Sequence, residues 1–258
     1  MKVVILCGGL GTRLREETEF RPKPMVLIGN RPILWHIMKI YAYYGHKEFI
    51  LSLGYKGEMI KEYFYHYELM NNDVTIELGN PANTIIHEGH EENGWSVTLV
   101  DTGEKALKGA RLKKVEKYLK DDDVFMMTYG DGLSDVNIND LLHFHQSHRK
   151  LATVTGINPA SRFGELKYKG DQVEAFNEKP KTGSSLINGG FFVFNRGIFD
   201  YLCAEDNCDL EIGPLEKIAH ERQLMVYKHK GSWACMDTIR DMDYLNKLWN
   251  ENKAFWKL

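Results

Sequence analysis

The sequence predicts an α/β fold, a mainly parallel sheet with helices on both faces, and three observations predict it. Short apolar runs alternate with stretches whose apolar residues recur at helical period, the pattern of strand–helix–strand units. The first apolar run, KVVIL, leads into the glycine-rich turn CGGLGTRL at residues 7–14, the position where an open parallel sheet binds its ligand. With 258 residues, 43% of them hydrophobic, the chain can bury a large core as one α/β domain, with or without a lobe.

Lys2 to Cys7 reads as a buried strand. Pro32 to Tyr44 reads as a helix: Pro32 suits the first helical position, Ile33, Leu34, Ile37, Met38 and Tyr41 share a face, and Gly45 supplies the stop. Lys47 to Leu53 is a second strand. Gly57 to Tyr67 repeats the helical period at Met59, Ile60, Tyr63, Phe64 and Tyr67, and Val74 to Leu78 is again strand-like. Residues 79–94, with their glycines, Pro81 and Asn83, read as a loop or flexible arm. Trp95 to Val100 alternates as a strand, Arg111 to Leu119 holds Leu112, Val115 and Leu119 in helical register, and Val124 to Tyr129 is a further buried strand. From Leu151 to Phe176 short strands and glycine turns suggest hairpins of a second lobe, and helical period returns at Arg240 to Asn252.

Composition excludes several classes of function. The chain has 33 Lys and Arg against 36 Asp and Glu, a formal net charge of −3, which argues against a general binder of nucleic acid or anionic membrane. No apolar run approaches a membrane span and the first residues carry no signal-peptide pattern, so the cytoplasm is the expected compartment. Cys7, Cys203, Cys208 and Cys235 follow neither a disulfide framework nor zinc-site spacing and read as reduced, mostly buried thiols. His143, His145 and His148 diverge on a helix and read as a packed or solvated face, not a metal cluster. Tyr63, Phe64 and Tyr67 form a stripe that reads as core or subunit interface.

The glycine turn matches neither common phosphate-binding fingerprint. A dinucleotide fingerprint starting at Gly9 needs glycine or alanine where Leu14 stands, an immediate helix where Pro22 and Pro24 follow, and an acid after the second strand, which ends Ser52-Leu53-Gly54. The G-x-x-x-x-G-K-[ST] string of a Walker loop is absent. Three glycines with Thr12 and Arg13 still offer backbone N–H groups, close approach and a guanidinium for phosphate, although a plain strand-ending turn with a surface arginine has the same composition.

GGLGTRL, followed by RPKPM at residues 21–25, resembles the signature of the sugar nucleotidyltransferases. PILWHIMKIYAYYG, DTGEKALKGARLKKV, FMMTYGDGLSD, INGGFFVFN and WACMDTIRDMDYL extend the resemblance over essentially the whole chain, to the bacterial glucose-1-phosphate cytidylyltransferase branch. The resemblance implies a single domain over 1–258, the nucleotide-diphospho-sugar transferase fold: a Rossmann-like nucleotide-binding core mainly in 1–150 and an inserted sugar-binding lobe at roughly 151–232. It implies the reaction of CTP with α-D-glucose 1-phosphate to give CDP-glucose and pyrophosphate, a product that serves dideoxysugar synthesis for surface polysaccharide. It also implies a homo-oligomer, a hexamer being one such assembly, in which the 79–94 arm has a place.

Residue by residue, the resemblance puts the nucleotide against Leu6, Cys7, Gly8, Gly9, Leu10, Gly11, Thr12, Arg13, Lys23 and Gly130, with Lys23 facing the α-phosphate. It puts the sugar phosphate near Gly164, Glu178, Lys179 and Asn188. The chemistry agrees. A phosphate monoester is already ionised, so its attack on the α-phosphorus needs positioning and positive charge, not a general base, and Arg13 can fork onto the β- and γ-phosphates. Asp131, otherwise an Asp-Gly turn, and Asp237, otherwise a helix cap, supply hard oxygens for Mg²⁺; Thr238 with Asp241 resembles a capping box that leaves Asp237 free. Arg111 is the candidate base reader, because a donor-only guanidinium fits O2 and N3 of cytosine and confronts the N3–H of uracil; a helix-start surface arginine is its other reading. A uridylyl-, thymidylyl- or mannose-type enzyme and a non-catalytic homologue remain the alternatives.

Overall fold

The structure, a computed structural model, describes all residues except 81, 82, 88, 90, 159–164, 170 and 178–185. A seven-stranded sheet forms its centre, from β1 (Lys2–Leu6), β2 (Glu48–Leu53), β3 (Ser96–Asp101), β4 (Val124–Tyr129), β5 (Ala152–Ile157), β6 (Ile187–Asn195) and β7 (Leu224–Lys228), in the order β7-β5-β6-β4-β1-β2-β3. Every pairing is parallel except those of β6, which runs antiparallel between β4 and β5. β1 lies between β2 and β4, so the chain leaves it toward one edge and later returns to its other side. That reversal opens a crevice at the carboxyl ends of β1 and β4.

The apolar runs follow from this position. Val3, Val4 and Ile5 of β1 are fully buried, as an interior parallel strand covered on both faces requires. Val3 and Ile5 pack with Ile37 and Tyr41 of α1 (Ile33–Tyr43), while Val4 and Leu6 face the other side with Ala110 and Leu112 of α2 (Lys108–Lys114). A last helix, α3 (Ile239–Asn250), closes the first face through Leu245 and starts at a capping box in which the Thr238 hydroxyl accepts from the Asp241 N–H and the Asp241 carboxylate accepts from the Thr238 N–H.

The structure corrects several boundaries, for physical reasons. The helix expected at Arg111 begins at Lys108 and ends at Lys114, followed by a 3₁₀ turn at Glu116–Tyr118. Its start is set by distant carbonyls: Leu107 N donates to Asp206 O at 2.8 Å and Ala110 N to Cys208 O at 3.0 Å. Within the 79–94 arm, Thr84–His87 pairs antiparallel with Asp73–Ile76, away from the central sheet. Of the stretch read as hairpins, β5 joins the central sheet and Glu165–Lys169 pairs with Gln172–Asn177. Cys7 and Cys208 are buried, but Cys203 is exposed and Cys235 intermediate; all four are free thiols. His145 is a packed residue, bonded to Thr153 Oγ1 at 2.9 Å and close to Asn195, and the described residues contain no group of three or more His, Cys, Asp or Glu placed to hold a metal ion. No helix among the described residues is long and apolar enough to cross a membrane.

Candidate active site

The loops that leave β1 and β4 meet because the two strands are neighbours in register, with Leu6 opposite Tyr129. Cys7 N donates to Ser52 O and Gly130 N to Leu6 O, which extends the sheet by one step into the crevice. The chain then turns at Gly11, whose φ of 64° lies in the left-handed region, and its carbonyl accepts from Leu14 N and the Thr18 hydroxyl. The turn leaves Thr12 and Arg13 at the mouth of a cleft of about 500 Å³.

Lys23 is held in the extended-to-3₁₀ turn between Pro22 and Pro24, and its ammonium bridges the carboxylates of two remote segments. Nζ donates to Asp131 Oδ2 at 2.7 Å and to Asp237 Oδ1 at 2.7 Å, while Arg13 Nη1 donates to Asp237 Oδ2 at 2.8 Å. Lys23 is nearly buried, with 12% of its side chain exposed, whereas Arg13 is 74% exposed and reaches out from the turn. Burial works to lower the Lys23 ammonium, but the charge and hydrogen bonds of the two carboxylates prevail and hold it above the usual lysine value. Burial likewise works to raise the Asp237 carboxyl, and Lys23 with Arg13 holds it below the usual range. The backbone N–H of Asp237 is bonded to the Asp241 carboxylate at 3.1 Å, so the capping box also fixes the strand-to-helix turn that carries Asp237. The Cys235 thiol, pushed up to about 12 first by burial and then by Asp237, stays protonated and donates to Asp237 Oδ2 at 3.5 Å.

Arg111 lines the other wall, and its donors are already engaged. Nη1 donates to Leu53 O at 3.0 Å, to the Thr102 hydroxyl at 2.8 Å and to Gly103 O at 2.8 Å; Nη2 donates to Gly8 O at 2.8 Å and Glu104 O at 3.1 Å. One buried guanidinium therefore ties together the loop after β1, the last residue of β2 and the loop after β3. The exposed helix-start arginine is thereby replaced by a buried staple, and a base would meet these donors only by exchange with carbonyls. No carboxylate among the described residues pairs with it, and burial pulls the guanidinium below its ordinary value. Its charge contributes a positive potential to the cleft.

The cleft gathers nearly all the expected nucleotide residues: Leu6, Cys7, Gly8, Gly9, Gly11, Thr12, Arg13, Lys23, Arg111 and Gly130, together with Asp131, Asp237 and Asn188. Leu10 is half exposed and outside its lining. Gly164, Glu178 and Lys179 lie outside the described residues. Sequence reasoning missed Lys108, Tyr129 and Trp233, which line the same cleft. Tyr129 donates to Glu211 Oε1 at 2.6 Å and accepts from Asn188 Nδ2 at 3.0 Å; Lys108 also pairs with Glu211, and Trp233 Nε1 donates to Gly189 O at 2.8 Å. Tyr129, directly before Gly130 in TYGDG, was recoverable from its position; Lys108 and Trp233 had no periodic signal.

A sheet crevice that joins a glycine turn, a guanidinium, an ammonium and paired carboxylates has the groups that phosphates and a cation require, and the nucleotidyl transferase family model matches residues 2–250. The chain belongs to the nucleotidyl transferase family. It is 50% identical over 257 residues to the glucose-1-phosphate cytidylyltransferase of Salmonella typhimurium (strain LT2), covering 100% of this chain and 99% of the relative. It is 28% identical to the mannose-1-phosphate guanyltransferase of Candida albicans, where the match covers 95% of this chain and 63% of the relative. Among solved structures, a UDP-glucose pyrophosphorylase complexed with UDP-glucose shares the fold, with a TM-score of 0.70 at 16% identity over 97% of this chain and 98% of that one. Enzymes of this family generally use a divalent metal.

The contact between Gly8 and Arg111 is directly testable. A Cβ on residue 8 would lie 2.0 Å from Arg111 Nη1, so Gly8→Ala should displace the guanidinium and leave several carbonyls without donors. Urea denaturation should show a loss of about 2–4 kcal/mol, the combined scale of overpacking and unsatisfied acceptors. Unchanged stability would mean that the staple is not needed.

Proposed function

We propose that the protein transfers the cytidylyl group of CTP to α-D-glucose 1-phosphate, giving CDP-glucose and pyrophosphate, in the cytoplasm. The observation that carries this reading is the convergence of Arg13, Lys23, Asp131 and Asp237 on one cleft at the sheet's switch point. The full-length likeness to a glucose-1-phosphate cytidylyltransferase supports the choice of base and sugar.

The sugar phosphate is its own nucleophile. An ionised phosphate oxygen attacks the α-phosphorus in line and the bond to pyrophosphate breaks, so no enzyme nucleophile is consumed and no proton must be removed. The chain's task is to align the two anions and offset the charge that builds on them. Arg13, exposed at the mouth on its glycine turn, takes the β- and γ-phosphates; Lys23 places a point charge on the α-phosphate. The N–H groups of the 8–12 turn approach the nucleotide closely because no side chain at Gly9, which faces open space, stands in the way. Asn188, already in the cleft, and Glu178, Lys179 and Gly164 are assigned to the glucose phosphate.

The donor set fits a hard divalent ion. Asp131 and Asp237 point carboxylate oxygens at one shared point, now marked by the Lys23 ammonium, and carboxylate oxygens with phosphate oxygens are the ligands Mg²⁺ prefers. We assign Mg²⁺ to this pair, where it would offset the negative charge of the nucleotide's phosphates. Retention of all four charged groups in one cleft argues against a non-catalytic homologue. The homo-oligomer belongs to the same proposal, and the exposed Ile76 and Ile86, on one face of the paired strands Asp73–Ile76 and Thr84–His87, support it.

Two measurements test the reading. Pyrophosphate release across CTP, UTP, dTTP, ATP and GTP with glucose, galactose and mannose 1-phosphates should be fastest for CTP with glucose 1-phosphate. A faster UTP or dTTP reaction would move the assignment to another transferase, and no release with any pair would make the protein a binding homologue. Arg111→Ala removes the staple as well as the proposed reader, so it should lower stability and should lower kcat/KM for CTP much more than for UTP. Equal losses with both nucleotides would confine Arg111 to holding the loops.

A further inference from the structure

The same two carboxylate oxygens that suit a divalent cation are held by an ammonium of the chain itself. Asp131 Oδ2 and Asp237 Oδ1 each lie 2.7 Å from Lys23 Nζ, and Asp237 Oδ2 lies 2.8 Å from Arg13. Two anions are thus matched by two cations in a pocket where Lys23 and Asp237 are nearly buried. A metal ion entering such a site meets no net negative charge and must displace a nearly buried ammonium that is bonded to both carboxylates. A nucleoside triphosphate changes this balance, because its phosphates are better-placed anions for both Lys23 and Arg13.

We propose that Lys23 competes with the metal: it closes the Asp131–Asp237 pair to free divalent cations, and the triphosphate, by drawing Lys23 onto its α-phosphate, opens the pair, so that metal and nucleotide bind interdependently. The inference rests on the reading of Asp131 and Asp237 as the metal pair. Lys23 then has two sequential partners from one anchored position, a carboxylate pair before the nucleotide arrives and a phosphate after. The turn between Pro22 and Pro24 holds its backbone in place throughout, so only the side chain needs to swing. One consequence is protection of the site from occupation by metal alone.

The test is the affinity for Mn²⁺, read by electron paramagnetic resonance of the free ion, with and without α,β-methylene-CTP. Without nucleotide, Lys23→Met and Lys23→Gln should bind Mn²⁺ about tenfold or more tightly than the unaltered chain, the scale of removing one unit charge from contact with the pair in a partly screened site. Asp131→Asn in the Lys23→Met background should abolish the gain. Lys23→Arg, which keeps the charge, should leave binding weak. General damage to the fold would weaken metal binding, so a gain reads competition specifically. Equal Mn²⁺ affinity of the unaltered chain and both neutral variants, with Asp131-dependent binding in each, would overturn the inference while the metal pair stands. Absence of Asp131-dependent binding in every protein, even with the CTP analogue, would overturn both.

Discussion

The ammonium of Lys23 between Asp131 and Asp237 is the contact on which the site depends. It joins three segments that are remote in sequence, the turn after the glycine loop, the end of β4 and the entry to α3, at a single nitrogen. Each segment reaches that point for its own reason. β4 is delivered by its parallel pairing with β1, Lys23 is projected by the prolines that flank it, and Asp237 is held by the capping box immediately behind it. Removing one member of a buried ion pair typically costs about 3–5 kcal/mol, because the survivor is left without a partner. The cluster is therefore a structural lock that also concentrates two cations and two anions at one end of the cleft.

Arg111 plays the complementary role on the opposite wall. Its acceptors lie at the carboxyl ends of three adjacent parallel strands, in the loop after β1, at the last residue of β2 and in the loop after β3. Gly8 is needed there because any side chain would occupy the guanidinium's place. The cleft thus has one wall fixed by a staple to main-chain oxygens and another fixed by exchangeable ion pairs. The first gives shape. The second can be rearranged by an incoming anion.

Much of this was legible in the sequence where the cause is local. The run KVVIL reads as an interior parallel strand because both faces are apolar, and Thr238 with Asp241 reads as a helix start because the cap is made by neighbours. Arg13, Lys23, Asp131 and Asp237 were recognised from short motifs, and the structure brings their side chains together. What escaped depends on contacts between distant segments. The early start of α2 is set by the carbonyls of Asp206 and Cys208, and the burial of Arg111 is set by oxygens at the carboxyl ends of three strands; neither leaves a periodic trace. The insertion of β6 between β4 and β5 was hidden for the same reason, since pairing partners are a matter of topology, and an apolar strand reads alike whichever edge it joins.

The account rests on one chemical claim, that this cleft aligns and charges its substrates and forms no covalent bond with them. The configuration at the α-phosphorus tests it most directly. With a single diastereomer of CTPαS and glucose 1-phosphate, one in-line displacement predicts a CDP-glucose thio-analogue with inverted configuration at phosphorus, assigned by ³¹P NMR. Retention would mean two displacements through a nucleotidylated side chain, and would contradict the account.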